Sequence, residues 1–269
     1  MASLPIGLQL YSVREDLSKD FYGTVKAVKE MGYDAVELSG LKDEWDPKEI
    51  KKMIDEVGLI CNSSHCPTAD MEKDGTFARY KEAGCDYIVI PWMSYGGRNQ
   101  RLQENLDLMY KLCEEAKKEG LTMLYHNHDF EFKKVDGKCV LDIIYDFIPA
   151  DLLKTELDTC WVNFASFSPV EYLNKYAGRS PLVHIKDYWE AEGNTGVPYD
   201  LIGKTREDRE NEGFMFKPVG HGIQNVPALI EASKAAGAQM IIVEQDESPE
   251  RPALESAKMS IDYLRSFEW

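Results

Sequence analysis

One short pattern recurs along the chain: a helical run ending in charged or small residues, then glycine, then an apolar strand. It is read in KEMGYDAVEL, DEVGLICNSS, KEAGCDYIVI, KKEGLTMLYH and KAAGAQMIIV, with glycines at 32, 58, 84, 120 and 237. Glycine takes positive φ without a Cβ clash, so it suits the position just past a helix C-terminus, and each occurrence marks a helix returning to a strand. A chain made of repeated helix-to-strand returns is confined to a parallel sheet covered by helices.

The strands expected from apolar content are Ile6–Ser12, Ala35–Ser39, Leu59–His65, Tyr87–Trp92, Thr122–His128, Lys154–Thr159, Leu182–Asp187 and Met240–Gln245. Helical periodicity lies between them, as in Leu106, Met109, Leu112 and Ala116. Asp46-Pro47-Lys48-Glu49 and Ser168-Pro169-Val170-Glu171 each supply an N-cap, a proline at the first helical position and an acid at the third. Eight strands in 269 residues favour a closed (β/α)8 TIM barrel over an open doubly wound sheet. The open sheet calls for a glycine-rich turn after its first strand, and LQLYSVRED has none. No linker divides the chain, so residues 1–269 are expected to form a single domain. Its main irregularity is the long loop after strand 7, Tyr188 to Gln224, which carries Trp189, Tyr199, the charged run Lys204–Glu212 and the turn Pro218-Val219-Gly220-His221-Gly222. A loop of that length at the strand ends suits a lid, a surface excursion or an oligomer contact.

Charge narrows the partners. Thirty-one basic against 47 acidic side chains leave a formal charge of −16, which repels a phosphate backbone, so nucleic acid is not an expected partner. No apolar run reaches membrane-spanning length and the N-terminus lacks a signal-peptide pattern, which points to a cytoplasmic protein with no membrane partner. Six scattered cysteines without a CxxC pair fit reduced, buried thiols. A homo-oligomer stays open.

Chemistry should collect at the carboxyl ends of barrel strands. There lie Glu37, His65, Trp92, His126 and His128, Glu156 and Asp158, His184 and Lys186, and Glu244. Alternation puts His126 and His128 on one face of their strand. His126, Asp158, His184 and Glu244 come from four consecutive strands, and two imidazoles with two carboxylates suit Mn²⁺, Fe²⁺, Co²⁺ or Zn²⁺. His128 can act as acid or base, and Lys186 can stabilise an enolate or balance Glu156 or Asp187. Glu156 points inward to orient a ligand or Lys186, while Glu37 and His65 could bind substrate hydroxyls. Trp92 and Trp161 are candidate apolar walls against a substrate, and His221 would reach substrate if its loop folds over.

These residues resemble the xylose isomerase-like barrels, which include sugar isomerases and epimerases, inosose dehydratases, dehydroshikimate dehydratases and endonuclease IV. The resemblance spans nearly the whole chain through GLQLYS, GYDAVEL, His65, the HNH segment, ELDTCW, VHIKD, PVGHG and the terminal VEQ strand. It implies a divalent metal held by Asp158, His184 and Glu244, with His126 where many members have Glu. Family epimerases use two metal-bound glutamates on opposite faces of the substrate, and His126 departs from that pattern.

The expected activity is therefore a metal-dependent isomerase or epimerase of carbohydrate metabolism, acting by proton abstraction next to a carbonyl. Glu244 or His128 moves the proton, and Lys186 assists at the oxyanion. The alternatives are an inosose dehydratase-like or other carbon–oxygen lyase using the same metal site, and a non-catalytic binding subunit. Glu244-Gln245-Asp246-Glu247-Ser248-Pro249 is acidic and lacks the glycines of a barrel phosphate site, so an unphosphorylated sugar, keto-sugar or cyclitol is the expected substrate.

Overall fold

All five glycines of the repeat take the left-handed conformation, with φ of 107° at Gly32, 79° at Gly58, 92° at Gly84, 72° at Gly120 and 84° at Gly237. Each ends a helix and turns the chain back into a strand. The fold is described from a computed structural model covering residues 3–93, 99–191, 208–209 and 213–269. Helix starts follow the capping rules too. Asp46 accepts from Lys48 N at 2.9 Å with Pro47 in the first turn, and Ser168 accepts from Glu171 N at 3.3 Å ahead of Pro169.

Eight strands form one parallel sheet: β1 (Ile6–Gln9), β2 (Ala35–Glu37), β3 (Ser63–His65), β4 (Tyr87–Ile90), β5 (Thr122–His126), β6 (Leu153–Asp158), β7 (Leu182–Ile185) and β8 (Met240–Val243). Strand β1 lies between β2 and β8, and the order continues β7, β6, β5, β4, β3. Parallel bridges Ala35↔Ile60 and Leu38↔Ser64 join β2 to β3 and bring the sheet round into a barrel. The strands are shorter than their apolar content suggested. Leu10–Val13, for example, tightens into a 3₁₀ turn once Gln9 Oε1 accepts from Tyr11 N at 3.0 Å.

Two apolar layers hold the barrel. A large core fills the space between strands and helices, and a smaller cluster of Ala35, Val89, Leu124, Leu182, Met240 and Ile242 fills the barrel itself. Gly7 belongs to the inner layer, since a Cβ there would meet Met240 Sδ at 3.3 Å and Ala35 Cβ at 3.4 Å. The plug makes the lower barrel a packed core, leaving room for polar groups only above it.

The excursion after β7 begins with an antiparallel hairpin, β9 (Asp187–Glu190) paired with β10 (Phe214–Lys217). Cys160, Trp161, Phe164, Tyr188, Phe214 and Phe216 pack it onto the helix at Thr159–Phe164. Tyr199 and most of the Lys204–Glu212 run, on which the choice between a lid, a surface excursion and an oligomer contact turned, lie outside the described residues. The glycine turn that follows is held by Asp187, whose carboxylate accepts from the backbone N–H groups of Tyr188, Gly220, Gly222 and Gln224 at 2.9 to 3.0 Å. Among the described residues, no helix is long and apolar enough to cross a membrane.

Candidate metal centre and active site

The inward columns of β5, β7 and β8 are apolar at the base and polar at the carboxyl end. Leu124 is followed by His126, Leu182 by His184 and Lys186, and Met240 and Ile242 by Glu244. Period-two alternation carries the column from the apolar plug into the strand-end mouth. His126, Asp158, His184 and Glu244 meet there, with one donor atom from each lying within 4.8 Å of the others. Register accounts for the meeting, since β5 pairs His126 with Glu156, β6 pairs Asp158 with His184, and β7 pairs His184 with Ile242.

The strand-end backbone is fixed by side chains facing the other way. Asn127 Oδ1 accepts from Asp158 N at 3.0 Å and its Nδ2 donates to Asp158 O at 3.2 Å, tying the end of β5 to β6. Buried Glu131 accepts from His128 N at 2.9 Å and from Tyr125 Oη at 2.5 Å. Asp158 Oδ1 caps the next helix, accepting from Cys160 N at 2.8 Å and Trp161 N at 3.2 Å. Its Oδ2 accepts no hydrogen bond and lies 3.5 Å from His126 Nε2.

A carboxylate stands behind each histidine of this group. His126 Nδ1 is 3.2 Å from Glu156 Oε2, and His184 Nε2 is 2.9 Å from Glu37 Oε1, to which Gln9 Nε2 also donates at 2.7 Å. With Nδ1 of His126 and Nε2 of His184 donating to these acids, both rings are oriented, and the opposite nitrogens face the other donors: His126 Nε2 lies 3.5 Å from Asp158 Oδ2 and His184 Nδ1 lies 2.9 Å from Glu244 Oε2, the contacts a cation would replace. His65 Nε2 bridges the two acids, 2.8 Å from Glu156 and 3.3 Å from Glu37. A second group of possible donors, His65, His126, Glu156 and His184, overlaps the first.

Charge explains why such a cluster suits a cation. Glu37, Glu156, Asp158, Glu244 and Asp246 crowd together, and Lys186, 3.3 Å from Asp158, 2.9 Å from Glu244 and 3.0 Å from Asp246, cannot balance them alone. Burial opposes charge on His184, yet Glu156, Glu244 and Glu37 outweigh it and raise its pKa well above the ordinary value. Burial also opposes charge on Lys186, but Asp246, Glu244 and Asp158 keep it an ammonium. Burial raises Asp158 to about 6, against the pull of Lys186 and His184. Glu244 is held well below the carboxylate range because Lys186 and His184 overcome its burial. His126 is pushed down to about 3 by burial, with His184, His65 and Lys186 adding to the effect. His128 is lowered by burial and by His126. The carboxylates hold a proton on His184 against its burial, and a divalent ion would answer the same negative charge. Buried oxygens without a hydrogen-bond partner on Glu37, Glu156 and Asp158 agree with that.

Above the donors lies a cavity of about 460 Å³ whose lining includes His65, Trp92, His126, His128, Trp161, Lys186 and Glu244. His128 stands beside His126 with ring centroids 5.2 Å apart, and neither its Nδ1 nor Trp161 Nε1 has a hydrogen-bond partner. Glu37 and Glu156 are fully buried and absent from the lining, and they sit behind the histidines. His221 is exposed, packs near Tyr263 at 6.2 Å and does not line the cavity, because Asp187 holds its turn away from the mouth. Lys186 pairs with Asp158, Glu244 and Asp246, not with Glu156 or Asp187. Asp246, Arg14 and Arg209 complete the wall and were not singled out from the sequence. Asp246 was within reach of the same alternation that found Glu244, two residues earlier.

The xylose isomerase-like TIM barrel family model matches residues 25–267. An inosose dehydratase of Geobacillus kaustophilus strain HTA426 is 23% identical over 272 residues, covering 87% of this chain and 83% of that protein. A sugar phosphate isomerase/epimerase from Parabacteroides distasonis ATCC 8503 superimposes with a TM-score of 0.78 at 23% identity, over 99% of this chain and 95% of the other. A probable 3-DHS dehydratase from Bacillus anthracis, involved in petrobactin synthesis, superimposes at 0.73 with 15% identity, over 98% and 100%. At these identities the superpositions speak to fold alone.

Proposed function

The chain belongs to the xylose isomerase-like TIM barrel family, and from that premise we propose that it is a divalent-metal-dependent isomerase or epimerase moving a proton beside the carbonyl of an unphosphorylated sugar, keto-sugar or cyclitol. One observation carries this: four mixed nitrogen and oxygen donors of His126, Asp158, His184 and Glu244 converge beneath a cavity lined by His128 and Lys186. When bound, Mn²⁺, Co²⁺, Fe²⁺ or Zn²⁺ would polarise a carbonyl and its neighbouring hydroxyl and acidify the carbon between them.

The chain's own groups supply the rest. Glu244, kept ionised by Lys186 and His184, accepts a proton at its carboxylate. His128, held neutral with Nδ1 unpartnered, moves a proton at that nitrogen on its side of the cavity. The Lys186 ammonium donates to the oxygen on which negative charge develops. Trp92, Trp161 and Phe216 wall the cavity and exclude water from the reacting carbon. A phosphate is disfavoured because Asp246 and Glu247 line the mouth and Arg209 is already paired with Glu247.

A lyase outcome is the second reading. Strand β5 offers His126 where a second metal-bound glutamate would stand, and Glu244 is the carboxylate of the donor group that lines the cavity. One carboxylate base facing an imidazole and an ammonium also suits expulsion of a β-substituent after the same proton abstraction. The test is to incubate Mn²⁺- or Co²⁺-loaded protein with ketoses and inososes in D₂O. Carbon-bound deuterium in a product of unchanged formula supports isomerisation, and loss of water or a glycosyl group supports the lyase. No carbon-bound exchange across the panel would overturn both.

A further inference from the structure

A second cavity of about 290 Å³ adjoins the first, and Arg14, Ser39 and Pro67 line both. It is a built pocket. The loop after β2 that forms its wall is fastened by Arg79 Nη2, which donates to Lys42 O and Trp45 O at 2.9 Å each, and Tyr80 Oη accepts from Leu41 N at 3.1 Å. Trp45, braced edge-on by Phe21 at 5.4 Å, and Tyr80 give it an apolar side, while Ser18, Lys42 and Asp70 give it polar groups. An apolar wall with a few polar groups is what a sugar ring requires, because its C–H faces pack on aromatics while its hydroxyls need donors and acceptors. At the boundary Arg14 is anchored, donating to Tyr11 O at 2.9 Å and Asp246 O at 2.7 Å, so the relation of the two cavities is set before ligand arrives.

We infer that the two cavities form one cleft and that the substrate is a two-ring glycoside, its keto-sugar ring over the metal donors and its second sugar ring beside Trp45. This rests on the carbonyl-adjacent proton chemistry proposed above and adds the substrate class. The test compares D-fructose with the glucosyl-fructose isomers turanose, maltulose and isomaltulose on the metal-loaded protein. Calorimetry reads binding and deuterium incorporation reads proton exchange. At least one disaccharide should bind about tenfold or more tighter than D-fructose. Trp45→Ala should remove that advantage while changing D-fructose binding by less than about twofold. Should Trp45→Ala fail to fold, Ser18→Trp fills the same pocket from an exposed helix position and should act on the disaccharide alone. Equal affinity for D-fructose and every disaccharide, or equal losses for both in these variants, would overturn the inference. Selective disaccharide binding without exchange would leave the second-ring site standing and defeat the proposed chemistry instead.

Discussion

Glu37 is the residue through which the metal proposal can be tested without touching a metal donor. Its Oε1 accepts from Gln9 at 2.7 Å and His184 at 2.9 Å, with His65 at 3.3 Å, and the residue is fully buried. Glu37→Gln keeps the shape and an acceptor oxygen but removes the charge. A hydrogen bond to an ionised partner is worth about 1.5–3 kcal/mol against about 1 for a neutral one, so the loss at His184 is about 1–2 kcal/mol. That corresponds to about a 5- to 30-fold weaker hold on Mn²⁺ or Co²⁺, overlapping the lower part of the range of about 10- to 100-fold seen when a histidine's supporting partner is lost. The pH dependence carries a sign. Glu37 is one of the groups that raise the His184 pKa, so the variant also weakens the proton that competes with metal at low pH. The affinity deficit should therefore be larger near pH 8 than near pH 6. Chelator-buffered metal titration of both proteins at the two pH values, alongside circular dichroism to confirm folding, measures it. A folded Glu37→Gln protein with wild-type affinity near pH 8 would refute the idea that Glu37 orients a metal-binding His184.

Three further outcomes are expected. Asp158→Ala and Glu244→Ala should each lower bound metal at least about tenfold by elemental analysis and abolish deuterium exchange; retention of both properties in both variants would place the metal elsewhere. Glu131 is raised from an ordinary 4.5 to about 8 by burial, so between those values the folded protein keeps a proton that the unfolded chain has lost, and stability falls as pH rises through that window. Glu131→Gln should remove about 3–5 kcal/mol of that slope in urea unfolding, and parallel pH profiles for the two proteins would count against it. Asp187→Ala strips four backbone N–H groups of their acceptor and should cost about 2–4 kcal/mol, whereas an unchanged denaturation midpoint would show that the turn does not depend on it.

What the amino-acid sequence alone determined is local and periodic. Glycine's freedom at positive φ marked the five helix-to-strand returns, and the strand count pointed to the barrel now seen as one eight-stranded parallel sheet. Alternation put His126 above Leu124 and His184 above Leu182 in columns that enter the barrel. Alternation names a face but not a depth. Whether an inward acid touches the cavity or stands behind another side chain depends on register and stagger between strands distant in sequence. The register of β5 on β6 sets His126 level with Glu156, which leaves Glu156 behind the histidines together with Glu37. Asp246 joined the site, and His221 was carried away, through non-local contacts within the last third of the chain: Lys186 to Asp246, and Asp187 to the glycine turn. Lys186 and Asp187 are adjacent in sequence, yet one pairs with the carboxylates of the barrel mouth and the other folds a loop, because strand alternation sends them to opposite faces and only the closed barrel determines what waits on each.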